Sequence, residues 1–172
     1  GLQKGDRVGI AARNSANWIV AYMAILMAGG VATLLNGWWQ GNELADGINM
    51  VGCRYVLADA QRAKRMEGLD LHNSEIILFE HGVAPVEGLS ALLSRGGGTD
   101  TALPAIDPLD NATILYTSGS TGQSKGAYSD HRAVMQAIMS YLGQTLVFFE
   151  LQTAAGTALP AQPSALVSVP LF

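Results

Sequence analysis

The sequence predicts an α/β fold, a mostly parallel sheet flanked by helices. Three observations carry that prediction. Apolar runs of strand length alternate with segments of helical spacing, the signature of repeated βαβ units. The 172 residues suffice for one domain of ordinary size with a sizeable core. Glycine pairs and Pro/Gly/Asp-rich stretches punctuate the pattern where one element should give way to the next.

In chain order, RVGIAA (Arg7 to Ala12) is the first predicted strand. Asn14 or Ser15 can cap a helix running to about Ala28, where Gly29-Gly30 stops it. VATLL (Val31 to Leu35) follows as a strand, and Gly41 to Met50 has helical spacing through Leu44 and Ile48. RYVLA (Arg54 to Ala58) returns as a strand, and Gln61 to Glu67 is expected as a short charged surface helix. EIILF (Glu75 to Phe79) is the next strand and Val86 to Leu93 a short helix. Residues 94–110, with three glycines, two prolines and several aspartates, are predicted as a surface connection. NATILY (Asn111 to Tyr116) is a β-branched strand, and Asp130 to Leu142 a helix with Val134, Ile138, Tyr141 and Leu142 on one side. Thr153 to Ser164 is expected as a loop, and Leu166 to Phe172 as the start of a further strand.

Composition narrows the function classes. Formal net charge is −4 and the isoelectric point about 5.2, so there is no basic footprint for a nucleic-acid backbone. The single cysteine, Cys53, excludes an internal disulfide framework and fits a reduced, cytoplasmic setting as a buried apolar residue. Charged residues make up 14%, against about 25% in typical soluble domains, and mean hydropathy is +0.22. Such a chain either meets a membrane or buries surface against something outside these 172 residues. The one membrane candidate, Trp18 to Leu35, is better read as a helix that stops at Gly29-Gly30 and leads into a strand, so no transmembrane segment is expected. Met23, Met27 and Met50 fall on apolar helix faces and are expected in the core, whereas His72 and His81 belong to the surface. Trp38-Trp39 could line a pocket, but packing beneath a loop is the expectation.

The chemistry concentrates in YTSGSTGQSKG, Tyr116 to Gly126, between an apolar strand and a predicted helix. Glycines let the backbone approach an anion and turn N–H groups toward it, hydroxyls add rotating donors, and lysine adds a mobile point charge. Three known motifs fail on spacing. Gly119 and Gly122 stand too close for a Walker A loop, and Lys125 follows Ser124 instead of preceding a hydroxyl residue. No serine here occupies a nucleophile elbow, and Gly122 stands where a Ser-x-x-Lys pair needs serine.

The segment resembles the phosphate-binding signature of the adenylate-forming enzymes, approximately [YF]-T-S-G-[ST]-T-G-x-P-K-G, with Ser124 in place of the usual proline. GDRVGI followed by an Asn-led helix and Ala-Gly-Gly resembles the opening of that superfamily. His131-Arg132 resembles its Thr-His-Arg segment, with Asp130 replacing the threonine, and the terminal VPLF resembles its Pro-Leu-Phe-His segment. The likeness spans essentially all 172 residues in order.

This resemblance implies part of the large N-terminal domain of an acyl-CoA synthetase-like fold, with the C-terminal domain outside these residues. It implies ATP-dependent activation of a carboxylic or fatty acid as an acyl-adenylate, with Mg²⁺, then transfer to coenzyme A. Thr117, Ser118, Gly119, Ser120, Thr121 and Gly122 would cradle the β- and γ-phosphates, with Lys125 and Gly126 completing the loop. Downstream segments for adenine, metal and ribose are missing, so these residues alone are expected to be inactive, with no catalytic residue and no metal ligand among them. The glycine start and the abrupt Phe172 end are read as those of a fragment, whose exposed sheet would favour a homo-oligomer. Two other readings remain open: a stand-alone nucleotide-binding or regulatory module, and a self-associating remnant.

Overall fold

A computed structural model describes residues 1–96, 102–118, 124–157 and 169–171. Six strands and six helical segments follow in the order β1 (Arg7–Ala11), α1 (Ala16–Met27), β2 (Val31–Leu34), α2 (Gly41–Val51), β3 (Tyr55–Ala58), α3 (Ala60–Arg65), β4 (Glu75–Leu78), α4 (Pro85–Gly88), α5 (Ser90–Leu93), β5 (Asn111–Ser118), β6 (Ser124–Asp130) and α6 (His131–Ala154). They form one sheet in the order β4-β3-β1-β2-β5-β6. All neighbours run parallel except β5 and β6, which are antiparallel.

Alternation along the strands divides the core into two layers. Val8, Ile10, Leu34 and Leu57 point to the face covered by Trp18, Ala21 and Ile25 of α1. Ala11, Leu35, Val56 and Ala58 join Leu44 and Ile48 of α2 and Met66 on the opposite face. The α1 stripe at 18, 21 and 25 leaves Met23 and Met27 on the far side, so both are about half exposed, as is Met50 on α2. These methionines are therefore not core, contrary to expectation, whereas Cys53 is buried.

The caps act where the sequence places them. Ser15 Oγ accepts from the Trp18 N–H, and Gly29 takes the left-handed conformation (φ +76°) that ends α1. Asp59 starts α3 by accepting from the Arg62 N–H, and α3 is less superficial than its charge predicts because Arg62 is buried. The predicted helix over residues 86–93 is two short turns broken at Leu89. There Gly88 packs so closely on Asn17 and on the Glu80 carbonyl that a Cβ could not fit.

Two larger departures lie near the C-terminus. A strand, β6, begins inside the phosphate-type segment at Ser124 and runs to the helix at Asp130, where the sequence predicts a direct entry from loop to helix. The helix itself, capped by Asp130 through the Ala133 N–H, runs to Ala154, twelve residues past Leu142 and through the start of the predicted loop. No proline interrupts 131–154, and Gly143 alone does not end a helix. By length and hydropathy α6 could cross a membrane, and none of its residues is buried. The predicted strand over residues 166–172 lies mostly outside the described residues, and 169–171 are irregular.

Two ion pairs tie the N-terminal residues to the sheet, Lys4 to Asp110 at 2.7 Å and Arg54 to Asp6 at 2.6 Å. Burial pushes the Asp6 carboxyl up, but the Gln3 N–H, Arg54 and Arg7 outweigh it and hold its pKa below the ordinary 3.8. A hydrogen bond from Lys4, then the Asp107 N–H, lowers Asp110 in the same way. A lowered carboxyl stabilises the fold fully above its unfolded pKa and loses that contribution as pH falls through the folded one. Thermal unfolding midpoints should therefore hold from neutral pH to the ordinary carboxyl value and drop below it. Asp6→Asn should reduce that acid-dependent drop in a pH series.

Candidate functional site

The carboxyl ends of β1, β2, β3 and β5 meet at one edge of the sheet, where open parallel sheets place their ligands. A buried ion pair organises this edge. Asp59 and Arg62 meet at 3.0 Å with side chains 3% and 7% exposed. Asp59 Oδ2 also accepts from the Arg13 N–H after β1 at 3.2 Å. Arg62 Nε donates to the Gly37 carbonyl after β2 at 2.9 Å, and Arg65 donates to the carbonyls of Gly37 and Trp39. One carboxylate and two guanidinium groups thus fix the loops that follow three strands.

Trp39, fixed by Arg65, meets the Tyr116 ring edge-on at 5.1 Å. The Tyr116 hydroxyl donates to the Gly47 carbonyl of α2 at 2.5 Å. Burial, with Cys53 beside it, raises the Tyr116 pKa, so the hydroxyl stays a donor. Burial likewise pushes the Cys53 thiol up to about 11, which leaves it protonated and no nucleophile at neutral pH.

β5 and β6 form a hairpin in which Tyr116 pairs with Gly126, Thr117 with Lys125 and Ser118 with Ser124. Residues directly opposite share a face, so the hairpin separates two roles. Tyr116 and Gly126 turn toward α2, where a Cβ on Gly126 would lie 3.2 Å from Ile114 and 3.3 Å from Val51. Gly126 thereby lets the hairpin lie flat against the domain. Thr117 and Lys125 are on the other face and exposed. Lys125 has no ion-pair partner among the described residues. Gly119, Ser120, Thr121 and Gly122 lie outside the described residues, and of Ser118 only the backbone is described.

A cleft of about 310 Å³ opens beside this hairpin, lined by Asn36, Trp38, Trp39, Thr117, Ser124 and Pro170. A larger apolar cavity of about 470 Å³ lies between α1 and the far end of the sheet, against Ala21, Ile25, Leu57 and Ile77. It lies on the β1-β3-β4 side of the sheet, away from the hairpin, with Tyr55, Glu75 and Arg95 at its polar margin. Among the described residues no three His, Cys, Asp or Glu side chains cluster as a metal site. Among the described residues the hairpin therefore offers the Thr117 hydroxyl and the Lys125 ammonium, which has no ion-pair partner, a combination suited to an anion.

The family model of the AMP-binding enzymes matches residues 1–172. The chain belongs to the AMP-binding enzyme family. This AMP-binding chain is 33% identical over 147 residues to 4-coumarate--CoA ligase-like 3 of Oryza sativa subsp. japonica, covering 77% of itself and 24% of that protein. It is 30% identical over 141 residues to nonribosomal peptide synthetase 8 of Aspergillus fumigatus, covering 82% of itself and 2% of the synthetase. The N-terminal domain of FACL13 from Mycobacterium tuberculosis superposes with a TM-score of 0.62 at 25% identity, over 76% of this chain and 32% of that one. The mostly parallel six-stranded sheet thus matches part of the N-terminal domain of that neighbour, and the chain spans about a quarter of the rice relative.

Sequence reasoning missed the Asp59–Arg62 hub, because a charged hexapeptide reads as a solvated helix. Its signal is Asp59 at the cap with Arg62 three residues on, directly after a buried strand. Replacing Asp59 with alanine strands a buried guanidinium and should destabilise the chain by about 3–5 kcal/mol in urea unfolding. Joint replacement of Asp59 and Arg62 by apolar residues should cost much less than the sum of the single changes.

Proposed function

We propose that this chain carries the phosphate-holding part of an ATP-dependent acid–thiol ligase. The single observation that carries the reading is the hairpin with exposed Thr117 and Lys125 opposite each other, in a chain of the AMP-binding family. Its relatives' names include both a CoA ligase and a peptide synthetase, which share activation of a carboxylate and differ in the acceptor. Coenzyme A is the acceptor proposed here. Such a reaction belongs in the cytoplasm, where ATP and coenzyme A are abundant.

In the proposed reaction a carboxylate oxygen attacks the α-phosphorus of ATP. The bond from that phosphorus to the bridging oxygen breaks, pyrophosphate leaves with the electron pair, and an acyl-adenylate forms. A thiol then displaces AMP from the acyl carbon and loses its proton. Charge builds on the β- and γ-phosphates as pyrophosphate departs, and fixed donors stabilise it. Thr117, Ser118, Gly119, Ser120, Thr121 and Gly122 supply hydroxyl and backbone donors to those phosphates. Lys125 supplies the compensating charge, and Gly126 seats its strand. Mg²⁺ would supply further charge neutralisation when bound with the nucleotide; among the described residues no cluster of His, Cys, Asp or Glu side chains forms a site for it.

Adenylation also needs groups for the base, the ribose and the acid, and the chain spans only part of its relatives' length. The 172 residues alone are therefore proposed to hold phosphate without completing the reaction. Acid-dependent exchange of labelled pyrophosphate into ATP should be absent from this chain and present in a longer protein containing it. In the longer protein Lys125→Ala should lower the exchange rate roughly 10²-fold, the size of effect seen when one transition-state donor is removed. Exchange with no acid of any class, or a Lys125→Ala variant at full rate, would refute the reading.

A further inference from the structure

Asn14 precedes the Ser15 cap and takes no part in capping α1. Its carboxamide instead reaches across to residues 169–171. Nδ2 donates to the Val169 carbonyl at 2.6 Å, and Oδ1 accepts from the Leu171 N–H at 3.0 Å. Both functional groups of one side chain therefore engage the backbone on either side of Pro170, as a neighbouring strand would. A second contact fixes the segment independently, because Leu171 packs on the core cluster that contains Val8, Ile10 and Trp18. Pinned at both sides, Pro170 becomes a wall of the cleft, with Trp38, Trp39, Thr117 and Ser124 as its other walls.

The pattern of partners is specific to asparagine. Aspartate could accept from Leu171 but would set a carboxylate against the Val169 carbonyl. Alanine could do neither. Leucine 171 also has a polar tie that its apolar packing does not require, and the tie sets the path of the backbone more than its depth. Because proline has no N–H, Pro170 cannot hold itself to the crest through its own backbone donor.

We propose that Asn14 is a positioning residue, which holds residues 169–171 so that Pro170 closes the cleft beside the phosphate hairpin. The proposal rests on the ligase reading above. Asn14 touches no reacting atom in it; its effect passes through the backbone that it pairs with. Losing the pairing widens the space in which the reacting groups are held, and misplacement of that kind lowers turnover more than it weakens binding of the phosphates.

The test uses Asn14→Ala and Asn14→Asp in a longer protein that shows pyrophosphate exchange, with hydrogen exchange of the Leu171 amide measured in this chain. Both variants should lower kcat about 10-fold or more while the KM for ATP changes little and the unfolding midpoint stays close to that of the parent. The Leu171 amide should lose protection in Asn14→Ala and keep part of it in Asn14→Asp. Full kcat in either variant overturns the proposal, as does a loss of rate explained by a smaller folded fraction. If no acid supports exchange in the parent, the ligase reading fails by itself, and the amide measurement then decides the clamp: unchanged protection in Asn14→Ala overturns it.

Discussion

The crest of the sheet depends on a charge pair that is costly to bury. Each ion taken out of water loses several kcal/mol of hydration, and the pair repays this only when every donor and acceptor finds a partner. Asp59 meets that condition through the Arg62 amide, the Arg62 guanidinium and the Arg13 amide. Arg62 contributes Nε to the Gly37 carbonyl and Nη1 to Asp59 and Gln61. The gain is geometric. Backbone groups after β1 and β2 are drawn to one point at the end of β3, so loops that share no sequence neighbourhood acquire fixed relative positions. A well-packed apolar cluster could match the stability but would not specify where each carbonyl sits.

That fixed edge is what the β5–β6 hairpin leans on. Arg65 holds the Trp39 carbonyl, Trp39 meets Tyr116, and Tyr116 is tied to α2 through Gly47. The hairpin therefore has a packed face and an open face, with Gly126 and Tyr116 on the first and Lys125 and Thr117 on the second. An antiparallel hairpin suits a mobile charge. Strand pairing holds the lysine backbone in register while its four-carbon stem remains free to move, as the proposed phosphate contact would require.

Among the described elements the helix after the hairpin has the least support. Val134 touches the core near its root, while Met139, Tyr141, Leu146, Phe148 and Leu151 are all largely exposed. The low charge content of the chain has its physical expression here and on the outer side of α1. An apolar surface of this extent is uncommon on a soluble monomer.

Strand and helix positions were legible in the sequence because they follow from local rules. Runs such as VATLL and the VLA of RYVLA are buried, Ser15 and Asp130 are cap residues, and Gly29 supplies a left-handed turn. The phosphate-type segment was equally legible, since its hydroxyls, glycines and lysine are contiguous. Where a one-residue or one-partner choice decides the outcome, the sequence was silent. Helical periodicity could not say which side of α1 faces the sheet, so Met23 and Met27 read as core. Nothing local marks Ser124 to Asp130 as a strand, because it is the pairing with β5 that makes it one. Likewise Asp59, Arg62 and Asn14 are ordinary polar letters until strands distant in sequence bring their partners within hydrogen-bond reach. The sequence by itself determined the α/β class, the order of most elements and the chemistry of the loop, all set by short-range periodicity and turn geometry. Tertiary structure alone decided the sheet order, the hairpin and the polar ties of the crest, because each requires groups that are neighbours only after the chain has folded.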